Sequence, residues 1–156
     1  MMNSRDLIIL NLEEIRRRSI MLWEALPAQY YFWKPDPEAM TAIEMVRHVL
    51  EADYGWTKII TGEDMSNYQT PWEGRPFESI ADELVFAQPY RQLFLEAIQQ
   101  FSSDDLLNKQ IIHPGNNLLK PLGQYLLRIG YHESVHAGQF TAYLRAMNVD
   151  RPMIWD

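Results

Sequence analysis

LGQYLLRIGYHESVHAGQFTAYLRAM, Leu122 to Met147, reads as one long amphipathic helix beginning just after Pro121. Wound at about 100° per residue, it gathers Leu122, Tyr125, Leu126, Ile129, Phe140, Tyr143, Leu144 and Met147 into one apolar arc. Gln124, Arg128, Tyr131, Ser134 and Arg145 fall on the other side. His132, Glu133 and His136 lie inside the arc or at its margin, so two imidazoles and a carboxylate are expected to point toward the core. An unpartnered polar group there costs on the order of 1–3 kcal/mol or more, so each needs a partner.

Working outward, three further stretches carry helical periodicity. Ser4 to Leu26, capped by Ser4, presents Ile8, Leu12, Ile15 and Leu22, and ends before Pro27. Thr41-Ala42-Ile43-Glu44 has the capping-box pattern, in which hydroxyl and carboxylate each satisfy a free backbone donor; that helix is expected to run to Thr61 and stop at Gly62. Ser79 to Phe101 forms the third, with Pro89 predicted to kink or divide it. The connection over 63–78 is long enough to cross an end of a bundle. The stretch from Asn108 to Asn117 is irregular, with an extended tendency around Ile111 and Ile112. The expected fold is all-α, a four-helix bundle with a long helix 2–helix 3 connection, built as a single domain over 1–156.

Composition narrows the functional classes. The chain has 156 residues, 47% of them hydrophobic, which suits one globular core. Its formal net charge of −7 disfavours nucleic-acid binding, and the one dense basic run, Arg16 to Arg18, adjoins Glu13 and Glu14. No stretch approaches the length of a membrane span or a secretory leader, and there is no cysteine. A cytoplasmic protein is expected, with no thiolate ligand or nucleophile of its own. Five Trp, eight Tyr and six Phe are enough to make a subunit contact plausible.

His132 and His136 are four residues apart, which stacks their side chains on one helix face about 6 Å apart at Cβ. Two core histidines bonded to backbone or to Glu133 are the alternative, but an inward pair at this spacing favours a shared metal ion. His48, at the edge of the apolar arc of the second helix, is the candidate third ligand, and three imidazoles leave coordination positions open for water or substrate. Asp53, mid-arc on the same helix, either orients a ligand histidine or bonds a Tyr or Trp. Glu133 is the candidate catalytic carboxylate, as a partner of a ligand or as a general base. His113, before Pro114 in a Gly/Asn-rich loop, is read as exposed. Residues 132–136 spell HExxH, yet Gln139 and Ala142 stand where the extended protease motif needs Gly and His, so proteolysis is discounted.

With these residues in place, the sequence resembles the DinB/YfiT-like family over most of its length. The likeness rests on TAIEMVRHVLEADYGW around His48 and on HESVHAGQFTAYLRAMN, close to the family's H-x-x-x-H-x-G-Q pattern. It implies a four-helix bundle with a divalent metal on His48, His132 and His136, and a homodimer. Some relatives are transferases or isomerases that use a low-molecular-weight thiol. The expected activity is therefore metal-dependent, that of an S-transferase or isomerase acting on a small electrophilic substrate. Zinc, nickel and iron all suit three imidazoles. Metal-assisted hydrolysis with Glu133 as base, and a stress-related metal-binding protein without turnover, are the alternatives.

Overall fold

The computed structural model describes residues 2–156. Its long helices are α1 (Ser4–Glu24), α2 (Ala42–Thr61), α3 (Ile80–Gln99) and α5 (Leu122–Ala146). A short α4 (Ser103–Asn108) and two strands, β1 (Gln110–Ile112) and β2 (Leu119–Pro121), lie between α3 and α5. The strands pair antiparallel, Ile111 opposite Lys120, so a small hairpin is added to the helical bundle expected from sequence.

The helix ends follow local chemistry. The α2 start is as read: Glu44 N–H donates to the Thr41 hydroxyl, while the Glu44 carboxylate accepts from the Thr41 N–H at 2.7 Å. Its end is Gly62, at φ 80°, where a side chain would be strained. At α1 the cap is Asn3 rather than Ser4, because Asp6 completes a capping box with Asn3. Pro89 does not divide α3; it sits on the exposed side one turn after the exposed Val85, where the carbonyl it leaves unpaired can meet water.

Contacts between the long helices form a closed ring, α1–α5–α2–α3 and back to α1. Helices α2 and α3 are therefore neighbours, although the connection between them is long. The links that cross the bundle are those from α1 to α2 and from α3 to α5. The 63–79 connection instead packs down onto its own helix pair. Arg47 of α2 ion-pairs with the fully buried Glu83 of α3, donates to the carbonyls of Arg75 and Pro76 at 2.7 and 2.8 Å, and lies over the Phe77 ring. Trp72 Nε1 donates to the same carboxylate at 3.1 Å.

Two apolar clusters fill the interior. One gathers Leu22, Trp23, Met45, Leu50, Trp72, Phe140 and Leu144; the other gathers Leu12, Ile60, Phe94, Ile98, Leu122, Tyr125 and Leu126. On every long helix one charged residue falls between the residues supplied to the two clusters: Arg16, Asp53, Arg91 and Glu133. Arg16 Nε and Nη2 donate to the two oxygens of Glu133 at 2.7 and 3.1 Å, and its Nη1 donates to Asp53 at 3.0 Å. Arg91 donates to the other Asp53 oxygen at 3.1 Å and to the Leu12 carbonyl at 2.7 Å. Two guanidiniums and two carboxylates thus balance in one layer that ties all four long helices together. Burial opposes the Arg16 charge, but Asp53 and Glu133 outweigh it and raise its pKa further.

Candidate metal centre

His48 leaves α2 on the side that packs against α5, and His132 and His136 leave α5 one turn apart toward it. The Nε2 atoms of His48 and His132 are 3.1 Å apart, as are those of His136 and His132. One ring nitrogen from each of the three residues lies within 4.8 Å of the others. His48 is exposed and the other two are half-buried, so the cluster opens to solvent at the α2–α5 seam rather than pointing into the core as expected. The reason is angular: both α5 histidines lie at the margin of the apolar arc, and Glu133, between them in sequence, takes the inward direction.

The tautomers can be followed. His136 Nδ1 is 2.7 Å from the Gln139 side-chain oxygen, so Nδ1 carries the hydrogen and Nε2 presents a lone pair. His132 Nε2 faces two other Nε2 atoms and can donate a hydrogen to only one of them. A cation resolves that conflict, because all three nitrogens can then turn lone pairs toward it. Two imidazole nitrogens each about 2.0–2.1 Å from one ion stand roughly 2.9–3.4 Å apart for right-angle to tetrahedral geometry, and the observed separations fall in that interval. The donor set fits a divalent metal.

Electrostatics favour the neutral form of the two α5 donors. Burial, followed by the charges of His136, His48 and Arg128, pushes the His132 pKa down to about 4. Burial and His48 also lower that of His136, against the opposing pull of Gln139 and Glu133. Neutral imidazole is the form that binds a cation.

Several residues singled out in the sequence are placed elsewhere. Glu133 does not join the histidines: both its oxygens are engaged by Arg16 in the buried layer, which leaves no free carboxylate edge to take a proton from water. Asp53 orients no histidine and bonds no Tyr or Trp; it holds Arg16 and Arg91. Tyr143 packs in the core, as its place in the apolar arc implies, with its hydroxyl donating to the Met40 carbonyl at 3.0 Å. His113 is not a free loop residue. Its Nδ1 accepts from Gly115 N–H at 3.1 Å and its ring packs on Trp56 and Tyr125. Gln139 enters the sequence reading as a departure from the protease motif and as the Gln of the H-x-x-x-H-x-G-Q pattern, without a contact, although its place three residues after His136 on a helix was the available signal for one.

A cavity of about 290 Å³ opens beside the histidines, lined by His48, Glu51, Ala52, Gly55, Trp56, Ile59, Tyr68 and His113. A larger one, about 570 Å³, lies between α1, α5 and the C-terminal residues but contains none of the three histidines. The smaller cavity touches the donor set through His48.

Comparison with known proteins supports the fold. YjoA of Bacillus subtilis is 27% identical over 127 residues, 81% of this chain and 79% of its own length. The crystal structure of that DinB-like protein superposes with a TM-score of 0.70 at 21% identity, covering 94% of this chain and 96% of the other. YfiT of B. subtilis, described as a probable metal-dependent hydrolase with an unusual four-helix bundle topology, superposes at 0.74 with 15% identity over 96% of this chain and 92% of its own. The family model of the DinB superfamily matches residues 11–140, and the chain belongs to that superfamily.

Proposed function

We propose that this chain is a divalent-metal-dependent enzyme in which His48, His132 and His136 hold the ion and a small electrophilic molecule is the substrate. The observation that carries the reading is the convergence of three imidazole nitrogens beside an open cavity. When bound, the metal supplies Lewis acidity, which lowers the pKa of a coordinated water or thiol. Gln139 holds His136 in the tautomer that offers Nε2. Three side chains would hold the ion and leave positions for exogenous ligands, whereas a closed structural site fills all positions with side chains.

The nucleophile in this proposal is a low-molecular-weight thiol, since the chain has no cysteine to provide one. The thiol gives up its proton to solvent, its sulfur bonds to an electrophilic carbon, and that carbon releases its leaving group with the bonding electron pair, which makes the protein an S-transferase. Hydrolysis is the second reading, favoured by the fold shared with YfiT. It needs a base other than Glu133, whose oxygens are both held by Arg16. The proposal includes a homodimer; the exposed Leu127, Tyr131 and Val135, on successive turns of α5, offer an apolar face for it.

Metal-loaded protein is to be screened against electrophiles of several classes, with and without added thiol. Thiol-dependent turnover that disappears in His48→Ala is the expected result. Turnover without thiol selects hydrolysis instead. Full activity in His48→Ala removes the metal centre from the reaction.

A further inference from the structure

Of the three acidic residues on α2, two are already committed. Glu44 closes the helix cap with Thr41, and Asp53 holds Arg16 and Arg91. Glu51 has no hydrogen-bond or ion-pair partner among the described residues, yet it is half-buried and lines the cavity beside His48. It follows His48 by one helical turn, so the two side chains project to the same side with Cβ atoms about 5–6 Å apart.

Aromatic rings make up much of the remaining wall, with Ala52, Gly55 and Ile59 between them. Trp56 and Tyr68 stand along it, and His113 closes the far end against Trp56. Gly55 makes the approach of Tyr68 possible: a Cβ there would lie 3.2 Å from the Tyr68 hydroxyl. Glycine inside a helix costs about 1 kcal/mol relative to alanine, so its presence here fits a position kept open for that ring. The nearby cation of α2, Lys58, does not supply Glu51 with a partner. It pairs with Glu63 and lies against the Tyr54 ring. The Glu51 charge is felt at Tyr68, where burial first and Glu51 second raise the phenol pKa.

An unpaired carboxylate beside aromatic faces is an environment that binds a protonated amine, through charge pairing and cation–π attraction together. The groove is therefore negative at Glu51, and His48 on the same wall joins it to the metal centre. We infer that Glu51, Trp56 and Tyr68 form a subsite for the primary ammonium group of a small substrate or co-substrate whose other, anionic end faces the metal centre. This inference rests on the metal-centre reading above.

Small thiols serve as probes because a thiolate binds the ion directly and their tails differ in charge. Cobalt-loaded protein is titrated with cysteamine, 2-mercaptoethanol and 3-mercaptopropionate, following the thiolate-to-cobalt absorption band. Changing Glu51→Gln is expected to weaken cysteamine about tenfold, equivalent to roughly 1.4 kcal/mol, while 2-mercaptoethanol changes less than about twofold. An equal effect on both thiols, or none on either, overturns the subsite and leaves the metal centre standing. Tighter binding of 3-mercaptopropionate than of cysteamine by the wild type overturns it as well. Failure of the wild type to take up cobalt removes the metal reading itself, and the subsite with it.

Discussion

Replacing Glu133 with Gln removes one charge from the buried layer and keeps the side chain's shape. In the native chain the carboxylate takes two hydrogen bonds from Arg16, with the Glu133 side chain 4% and the Arg16 side chain 8% exposed. The amide can accept from only one of those donors and turns its NH2 toward the other, so the layer is left with an extra positive charge and a mismatched contact. Breaking one partner of a buried ion pair costs about 3–5 kcal/mol. For a chain of this length each kcal/mol moves the melting temperature by about 2–4 °C, which places the fall at roughly 6–20 °C. Thermal unfolding followed by circular dichroism measures it, and metal titration at 20 °C, where the variant is still folded, measures the site separately. Metal affinity is expected to stay within a few-fold of wild type, because Glu133 does not touch the donor nitrogens. The double variant Arg16→Met/Glu133→Leu removes both charges, leaves Asp53 paired with Arg91, and is expected to recover most of the loss. A melting temperature within about 2 °C of wild type in Glu133→Gln would refute the structural role. Loss of turnover at unchanged stability would assign Glu133 as a base after all.

Gln139→Leu frees His136 Nδ1 from its acceptor, and metal affinity is expected to fall about 10–100-fold with the fold intact, as read by calorimetric titration. For the metal-free chain, the His132 pKa near 4 lies below the value of about 6.5 for an unfolded histidine. The unfolded chain then binds the extra proton, so this group's contribution to stability is present above about pH 6.5 and is lost as pH falls toward 4. Denaturant unfolding across that window, in wild type and in His132→Asn, is expected to show a shallower slope in the variant. Light scattering should give twice the chain mass for wild type and the single mass for Tyr131→Glu; equal masses for the two remove α5 from the subunit contact.

What could be read from sequence was whatever local chemistry decides. Thr41 and Glu44 mark the start of α2, Gly62 its end, and the i, i+4 spacing of His132 and His136 stacks them whatever else the chain does. The Arg16 environment was hidden because its partners are 37 and 117 residues away, and a guanidinium in a run of three arginines reads as solvated surface. Its place in line with Leu12, Ser19 and Trp23, all buried on α1, was the signal for the inward face. Glu133 and Asp53 were correctly placed inside the apolar arcs, but arcs say nothing of which counter-charge meets them. The basic run is divided between inside and outside: Arg16 is buried, while Arg17 and Arg18 pair with Glu14 and Asp156. The short α4 was missed although Ser102 and Asp105 form a capping box. Six residues give too little periodicity to register, and packing against α5, α1 and β2 helps hold them helical.

Chelator-stripped protein titrated with zinc or nickel by calorimetry, with elemental analysis of the product, bears most directly on the three histidines. One ion per chain is expected for wild type. His48→Ala, His132→Ala and His136→Ala are each expected to lose nearly all affinity while keeping wild-type helix content. Wild-type stoichiometry and affinity in any of the three variants, or no ion bound by the wild type, would contradict a shared cation at this seam.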